Sequence, residues 1–295
     1  MTRAYESIYE RSSRPAEPLA TGVKARLVHL EGIRAVLFDV YGTLFISASG
    51  DVDSLKETRV SALGAALGAM GISTPLDAQA AVDCLAEVIR ETHARMGERG
   101  IGDPEVDIID VWQRTFQKLI SEGKASTDLS GLDLQRLAVE FEARANPVWP
   151  MPGARECLDT LADGGLTLGI ISNAQFYVRH MFSALLGAEP EGLGFQRDLV
   201  YFSFEHGHAK PGRTLFEKAA ESLRHHGISA KQCLYVGNDM LNDIFPADSV
   251  GFRTALFAGD ARSLQRCEGD ARVADLRPDI EITELASIAG CIPAP

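Results

Sequence analysis

The run Ala35-Val36-Leu37-Phe38 delivers four apolar residues straight into Asp39, and Val40-Tyr41-Gly42-Thr43-Leu44-Phe45 follows at once. A short apolar run bounded by a turn-forming segment marks a strand buried on both faces, as in the middle of a parallel sheet. A carboxylate at the C-terminal end of such a strand lies on the edge where open α/β sheets hold their ligands. Gly42 gives the chain the freedom to turn sharply beside that acid. No other stretch narrows the possible folds as far.

Downstream the pattern alternates. Residues 166–171, 199–204, 233–236 and 252–257 read as strands, and 176–186, 213–225 and 244–250 as helices between them. Strands alternating with helices predict a doubly wound parallel α/β sheet. Between the first strand and this series, roughly residues 55–144 show helical periodicity alone. Val60, Leu63, Ala66 and Leu67 share one face, as do Val82, Leu85, Val88 and Ile89, and further helices are read over 108–120 and 132–145. A small polar stretch, 47–54, precedes the block. The proline-rich segment 146–153 closes it, since no helix continues through those prolines. The expected organisation is therefore an N-terminal extension over 1–30, an α/β core built from 31–50 plus 150–295, and an inserted all-α domain over 51–149. Pro15 and Pro18 break any long helix in the extension, which is left open between packing on the body and oligomer contacts.

Composition bounds the partners. The 29 basic and 41 acidic residues leave a net charge of −12, which argues against nucleic acid because phosphate binding rests on a basic face. An anionic substrate needs a local basic pocket against that field. Cys84, Cys157, Cys233, Cys267 and Cys291 are odd in number and scattered, so reduced thiols are expected rather than a disulfide framework or metal knuckle. The first twenty residues carry charges and no apolar core of a signal, and no segment has the ~18 apolar residues of a membrane span. The expectation is a cytoplasmic protein with no membrane partner, its oligomeric state open.

Three further strand ends finish in polar residues: Ser172-Asn173, the loop reaching Lys210-Pro211, and Gly237-Asn238-Asp239-Met240-Leu241-Asn242-Asp243. A parallel sheet brings such ends to one edge, so Asp39, Ser172, Lys210, Asp239 and Asp243 are expected to converge. In order, the four segments resemble the four motifs of the haloacid dehalogenase superfamily, whose first reads Asp-x-Asp-Gly-Thr. The helical block sits where that family carries its C1-type cap. The resemblance implies a Rossmann-like core and hydrolysis of a small anionic substrate through a covalent aspartyl intermediate. It makes Asp39 the nucleophile, with Thr43 hydrogen-bonded to it. Ser172 and Asn173 donate to the substrate, and Lys210 keeps Asp39 ionised.

The superfamily's phosphatases also hold Mg²⁺. Here Asp39, the Tyr41 carbonyl and Asp239 or Asp243 are the candidate ligands, with Asn238 in place of the usual aspartate weakening the site. Tyr41 replaces the usual acid, and with a pKa of ~10 it is a poor proton donor at neutral pH. Asp-x-Tyr-Gly-Thr is also the first motif of 2-haloacid dehalogenases, which need no metal; there Asp243 would position the hydrolytic water. Against that stand Phe216, where those enzymes carry tyrosine, and the Gly237-Asn238-Asp239 run. Arg114 or Arg59 is the candidate arginine for substrate or halide. Phosphate-type hydrolysis, dehalogenation and a non-catalytic binding module all stay open. His206 and His208 are read as surface residues, and Trp112 as core of the helical block.

Overall fold

A computed structural model describes residues 2–47, 55–73 and 76–292. In chain order the elements are α1 (Thr2–Ser12), β1 (Ala35–Phe38), β2 (Phe45–Ser47), α2 (Leu55–Ala69), α3 (Ala78–Glu98), α4 (Ile108–Ser121), α5 (Leu134–Ala145) and β3 (Val148–Pro150). Then follow α6 (Ala154–Asp163), β4 (Thr167–Ser172), α7 (Val178–Leu186), β5 (Phe195–Phe202), α8 (Ser203–His206), α9 (Thr214–His225) and β6 (Cys233–Gly237). A π-helical turn (Met240–Ile244) leads into α10 (Phe245–Ser249), β7 (Arg253–Phe257), β8 (Ile280–Ile282) and α11 (Ser287–Cys291).

Six strands form one parallel sheet in the order β5-β4-β1-β6-β7-β8. The chain winds one way from β1 through β4 to β5 and the other way from β6 to β8, so the topological switch lies at β1. Alternate residues of β1 feed opposite layers. Val36 and Phe38 join the core that includes Leu158, Val178 and Phe182, while Ala35 and Leu37 join Leu215, Phe216, Leu223 and Tyr235. Both layers are dry, which explains why β1 carries no polar residue before Asp39.

The expected strand at 199–204 begins earlier, at Phe195. Gln196, Arg197 and Asp198 are exposed on this edge strand and broke the apolar pattern. The strand β8 is three residues long and gave no periodicity to read. Of the stretch 47–54, only Ser47 lies within the described residues. Ser47 belongs to β2, which pairs antiparallel with β3, so the two connections of the helical insertion run side by side as a ribbon. Helix α5 ends at Ala145, just before the proline-rich segment, as expected.

The N-terminal segment differs more. Its first residues form α1, which lies against both α5 and α7 and buries Tyr5, Ile8 and Tyr9. Arg11 Nη2 reaches the fully buried Glu140 of α5 at 2.6 Å, and the Tyr5 ring meets His180 of α7 edge-on at 5.0 Å. After Pro15 and Pro18 the chain runs extended along the far edge of the sheet, exchanging backbone hydrogen bonds between Arg26 and Glu281. The prolines end the helix rather than prevent it.

On the other side, the α3–α4 loop is fastened to the sheet body. Glu105 N donates to Gly207 O (3.2 Å) and Ala209 N to Asp103 O (2.8 Å). Gln175 completes the joint, giving its Nε2 to Val106 O (2.8 Å) and taking the Ile108 N–H on Oε1 (3.1 Å). Among the described residues, no helix is long and apolar enough to cross a membrane.

Candidate active site

The C-terminal ends of β1, β4 and β6 open into a cavity of about 480 Å³. Its lining includes Asp39, Tyr41, Ser172, Asn173, Lys210, Asn238, Asp239 and Asp243, and from the helical insertion Glu105, Glu142 and Asn146. The strand ends read from sequence do converge. Arg114 does not join them: its guanidinium faces Glu91 and Asp110 on the insertion and donates to Thr92. Its neighbour Trp112 is fully buried, stacked on Phe116.

Asp39 follows β1 directly and is held by its own N–H, which donates to Val236 O at 2.9 Å. Lys210 Nζ lies 2.6 Å from Asp39 Oδ1 and 2.5 Å from Asp243 Oδ1, all three side chains being buried. Burial alone drags an ammonium down, but Asp243 and Asp39 more than offset it and hold Lys210 well above its ordinary value. The same burial pushes Asp243 up to about 7, with Lys210 opposing and the Asp39 charge adding to the rise. The loop carrying Lys210 is fixed by Asn173, whose Oδ1 accepts from Lys210 N (2.7 Å) while Nδ2 donates to Lys210 O (3.1 Å). Asn173 thus positions the lysine, although it was expected to bind substrate. Ser172 does the reverse: its Oγ is buried on the cavity wall without a hydrogen-bond partner among the described residues.

Thr43 departs from expectation. Its hydroxyl donates to Asn238 Oδ1 (3.0 Å) rather than to Asp39, and Asn238 Nδ2 donates to Ser263 O (2.7 Å). Gly42, at φ +85°, makes this packing possible, because a Cβ there would stand 2.6 Å from Ser263 Cβ and 2.8 Å from Asn238 Nδ2. Thr43 and Asn238 therefore brace the turn that aims Asp39.

Within the donor set expected for Mg²⁺, the carboxylates of the last motif are engaged by the protein itself. Asp239 Oδ1 caps the N–H groups of Leu241 (2.7 Å) and Asn242 (2.9 Å), and Oδ2 accepts from Asn242 Nδ2 (2.7 Å). Asp243 spends Oδ1 on Lys210 and Oδ2 on Asp239 N (3.0 Å). Asn238 is engaged at both ends of its amide. Among the described residues, no group of three or more His, Cys, Asp or Glu side chains is arranged to hold a metal.

Two groups in the site carry no sequence signal of their own. Tyr235, inside an apolar strand, sends its hydroxyl to Ile171 O (2.8 Å) and accepts from Lys210 Nζ (3.4 Å). Phe216 packs edge-on against that ring at 4.9 Å, so the hydroxyl beside the lysine comes from β6 instead. Glu142 reaches the cavity from α5, where it looked like any helix-surface acid. Burial raises it above the usual carboxyl range, against hydrogen bonds from Asn146 and Tyr177 and the exposed Arg59 nearby. Tyr41 is raised well above the phenol range by burial, then by Glu142 and Asp39, and stays a neutral donor.

A buried aspartate is thus bridged by lysine to a second carboxylate at the switch of a parallel sheet that carries a helical insertion. Residues 33–251, well over half of the chain, match the haloacid dehalogenase-like hydrolases, and the chain belongs to that family. It is 28% identical over 142 residues to a ribulose-1,5-bisphosphate 5-phosphatase of Halopiger xanaduensis, an alignment covering 48% of this chain and 56% of that one. The chain thus spans little more than half the length of this curated relative. A 2-haloacid dehalogenase of Pseudomonas syringae pv. tomato superposes with a TM-score of 0.55 at 21% identity, covering 88% of this chain and 97% of that one. A phosphatase of Thermococcus onnurineus gives a TM-score of 0.49 at 23% identity, covering 88% and 97%. The likeness to the first of these two structures is one of fold alone.

Proposed function

We propose that this hydrolase cleaves a small phosphate monoester through Asp39, with a covalent aspartyl phosphate as intermediate. The observation carrying it is Asp39 itself, buried at 5% exposure with one oxygen on Lys210, lining the same cavity as the unpartnered Ser172 hydroxyl. A desolvated carboxylate held at one oxygen leaves the other for attack on phosphorus. Lys210 offsets the charge that gathers on the transferring group, and Ser172 supplies a donor to it. The helical insertion acts as the cap that excludes water, with the β2–β3 ribbon as its hinge. The curated relative that acts on a bisphosphate supports the ester reading.

Tyr41 favours a second reading, attack on the carbon of a 2-haloacid, because halide leaves without a proton. Among the described residues no arginine lines the cavity, which weighs against it. Turnover in heavy-oxygen water separates the two. Water opens an aspartyl phosphate at phosphorus, so the label enters the released phosphate. An aspartyl ester opens at the carboxyl carbon, so the label enters Asp39. Asp39→Asn is expected to lose at least ~10³-fold in either case; a variant of full rate would sink the nucleophile assignment.

A further inference from the structure

Phosphate esters of ordinary alcohols need a proton on the leaving oxygen, and the residue two after the nucleophile is a poor source of one here, being Tyr41, whose phenol burial holds well above its ordinary value. Some other group must supply it if the proposed ester hydrolysis is right, and this inference rests on that reading. Among the described residues the cavity wall offers five carboxyl groups, Asp39, Glu105, Glu142, Asp239 and Asp243. Asp39 is the nucleophile, Asp243 is bridged to Lys210, and Asp239 caps the π-helical turn. Glu105 spends its oxygens on Val106 N (2.9 Å), Gln175 Nε2 (3.3 Å) and Ser203 Oγ (2.6 Å). That leaves Glu142, which accepts from Asn146 Nδ2 at 3.2 Å and from the Tyr177 hydroxyl.

We propose that Glu142, presented by α5 of the helical insertion into the cavity that holds Asp39, is the general acid and base of the reaction. Its carboxyl gives a proton to the leaving oxygen as the Asp39 oxygen–phosphorus bond forms and the ester oxygen–phosphorus bond breaks. The resulting carboxylate then takes a proton from the water that attacks phosphorus, Asp39 leaves as carboxylate, and both groups return to their starting state. The sum is ester plus water to alcohol plus phosphate. Two carboxyls in one cavity with opposed environments, one salt-bridged and one raised by burial, are the arrangement that divides nucleophile from acid. The groups facing Glu142 are Tyr41 from the β1–β2 turn, Tyr177 before α7, Tyr9 from α1 and Arg59 from α2. Of these, Arg59 is the one cation, and it is exposed.

The test compares the full chain and Glu142→Gln on 4-nitrophenyl phosphate, whose leaving group needs no proton, and benzyl phosphate, whose alkoxide does. Glu142→Gln is expected to lose ~10²–10⁴-fold in kcat/KM on the benzyl ester and less than about tenfold on the nitrophenyl ester. With the wild type, benzyl ester turnover falls as pH rises through the Glu142 pKa, because the acid form is lost; the variant lacks that limb. Tyr177→Phe removes a hydrogen bond that lowers the Glu142 pKa, so the limb moves to higher pH. Equal losses on both esters, or an intact limb in Glu142→Gln, overturn the assignment. A wild type that turns over 2-chloropropionate and neither ester, or an Asp39→Asn variant that keeps its rate, overturns the function on which it rests.

Discussion

Lys210 is the residue on which the site's electrostatics turn. Among the described residues it is the only cation lining the cavity, and it serves two buried carboxylates at 2.5 and 2.6 Å. Lys210→Met leaves both without a partner, and breaking a buried ion pair in this way typically costs ~3–5 kcal/mol. Urea melts at neutral pH are expected to show that loss, shrinking as pH falls and the stranded carboxyls take up protons. In the wild type, Asp243 is raised above its unfolded value to about 7, so its ionisation costs stability as pH rises through that value. Asn238→Asp exchanges an amide donor for an acceptor against Ser263 O and is expected to cost ~1–3 kcal/mol. Because the neighbouring carboxylates are already engaged, millimolar Mg²⁺ is expected to leave the wild-type melting temperature unchanged; a rise of several degrees would show that they turn to receive the ion.

At the level of elements, the legible and illegible parts of this chain separate by how each signals itself. Strands β1, β4 and β6 and their polar ends were readable because dry strands are continuously apolar and stop abruptly at Asp39, Ser172 and Gly237. The sheet then follows from alternation, and the convergence of Asp39, Lys210 and Asp243 from the sheet. Thr43 was readable as part of the site but not in its role, since only the fold brings Asn238 across to it. Arg114 was named for its charge, and charge alone does not say which face of α4 it occupies. Glu142 and Tyr235 were invisible for the opposite reason: a helix acid and a strand tyrosine look ordinary until tertiary packing points them inward. Helix α1 was hidden by the prolines that follow it. Ile8, 2% exposed in that helix, tests its weight: Ile8→Ala is expected to cost ~2–4 kcal/mol, measured by denaturant melts. Near-zero loss would mean that α1 is dispensable to the body it lies on.

Across the whole molecule, the helical insertion is tied down on two opposite sides, by α1 through Arg11 and Glu140 and by Gln175 with the 103–108 loop. Gln175→Ala removes the three contacts its amide makes to this loop, with Val106 O, Ile108 N and Glu105, leaving Ile108 N–H and Val106 O to water. Faster amide exchange confined to residues 103–108 is expected, with the exchange of β1 and β6 unchanged. The tie at 207–209 has one more effect, because the next residue is Lys210. The backbone bonded to the 103–105 loop is the backbone that carries the cavity's ammonium, so a change that frees this loop is expected to loosen the grip on Asp39 as well. Under the mechanism proposed above this would amount to a safety catch, with the carboxylate expected to react only while the insertion is seated over it.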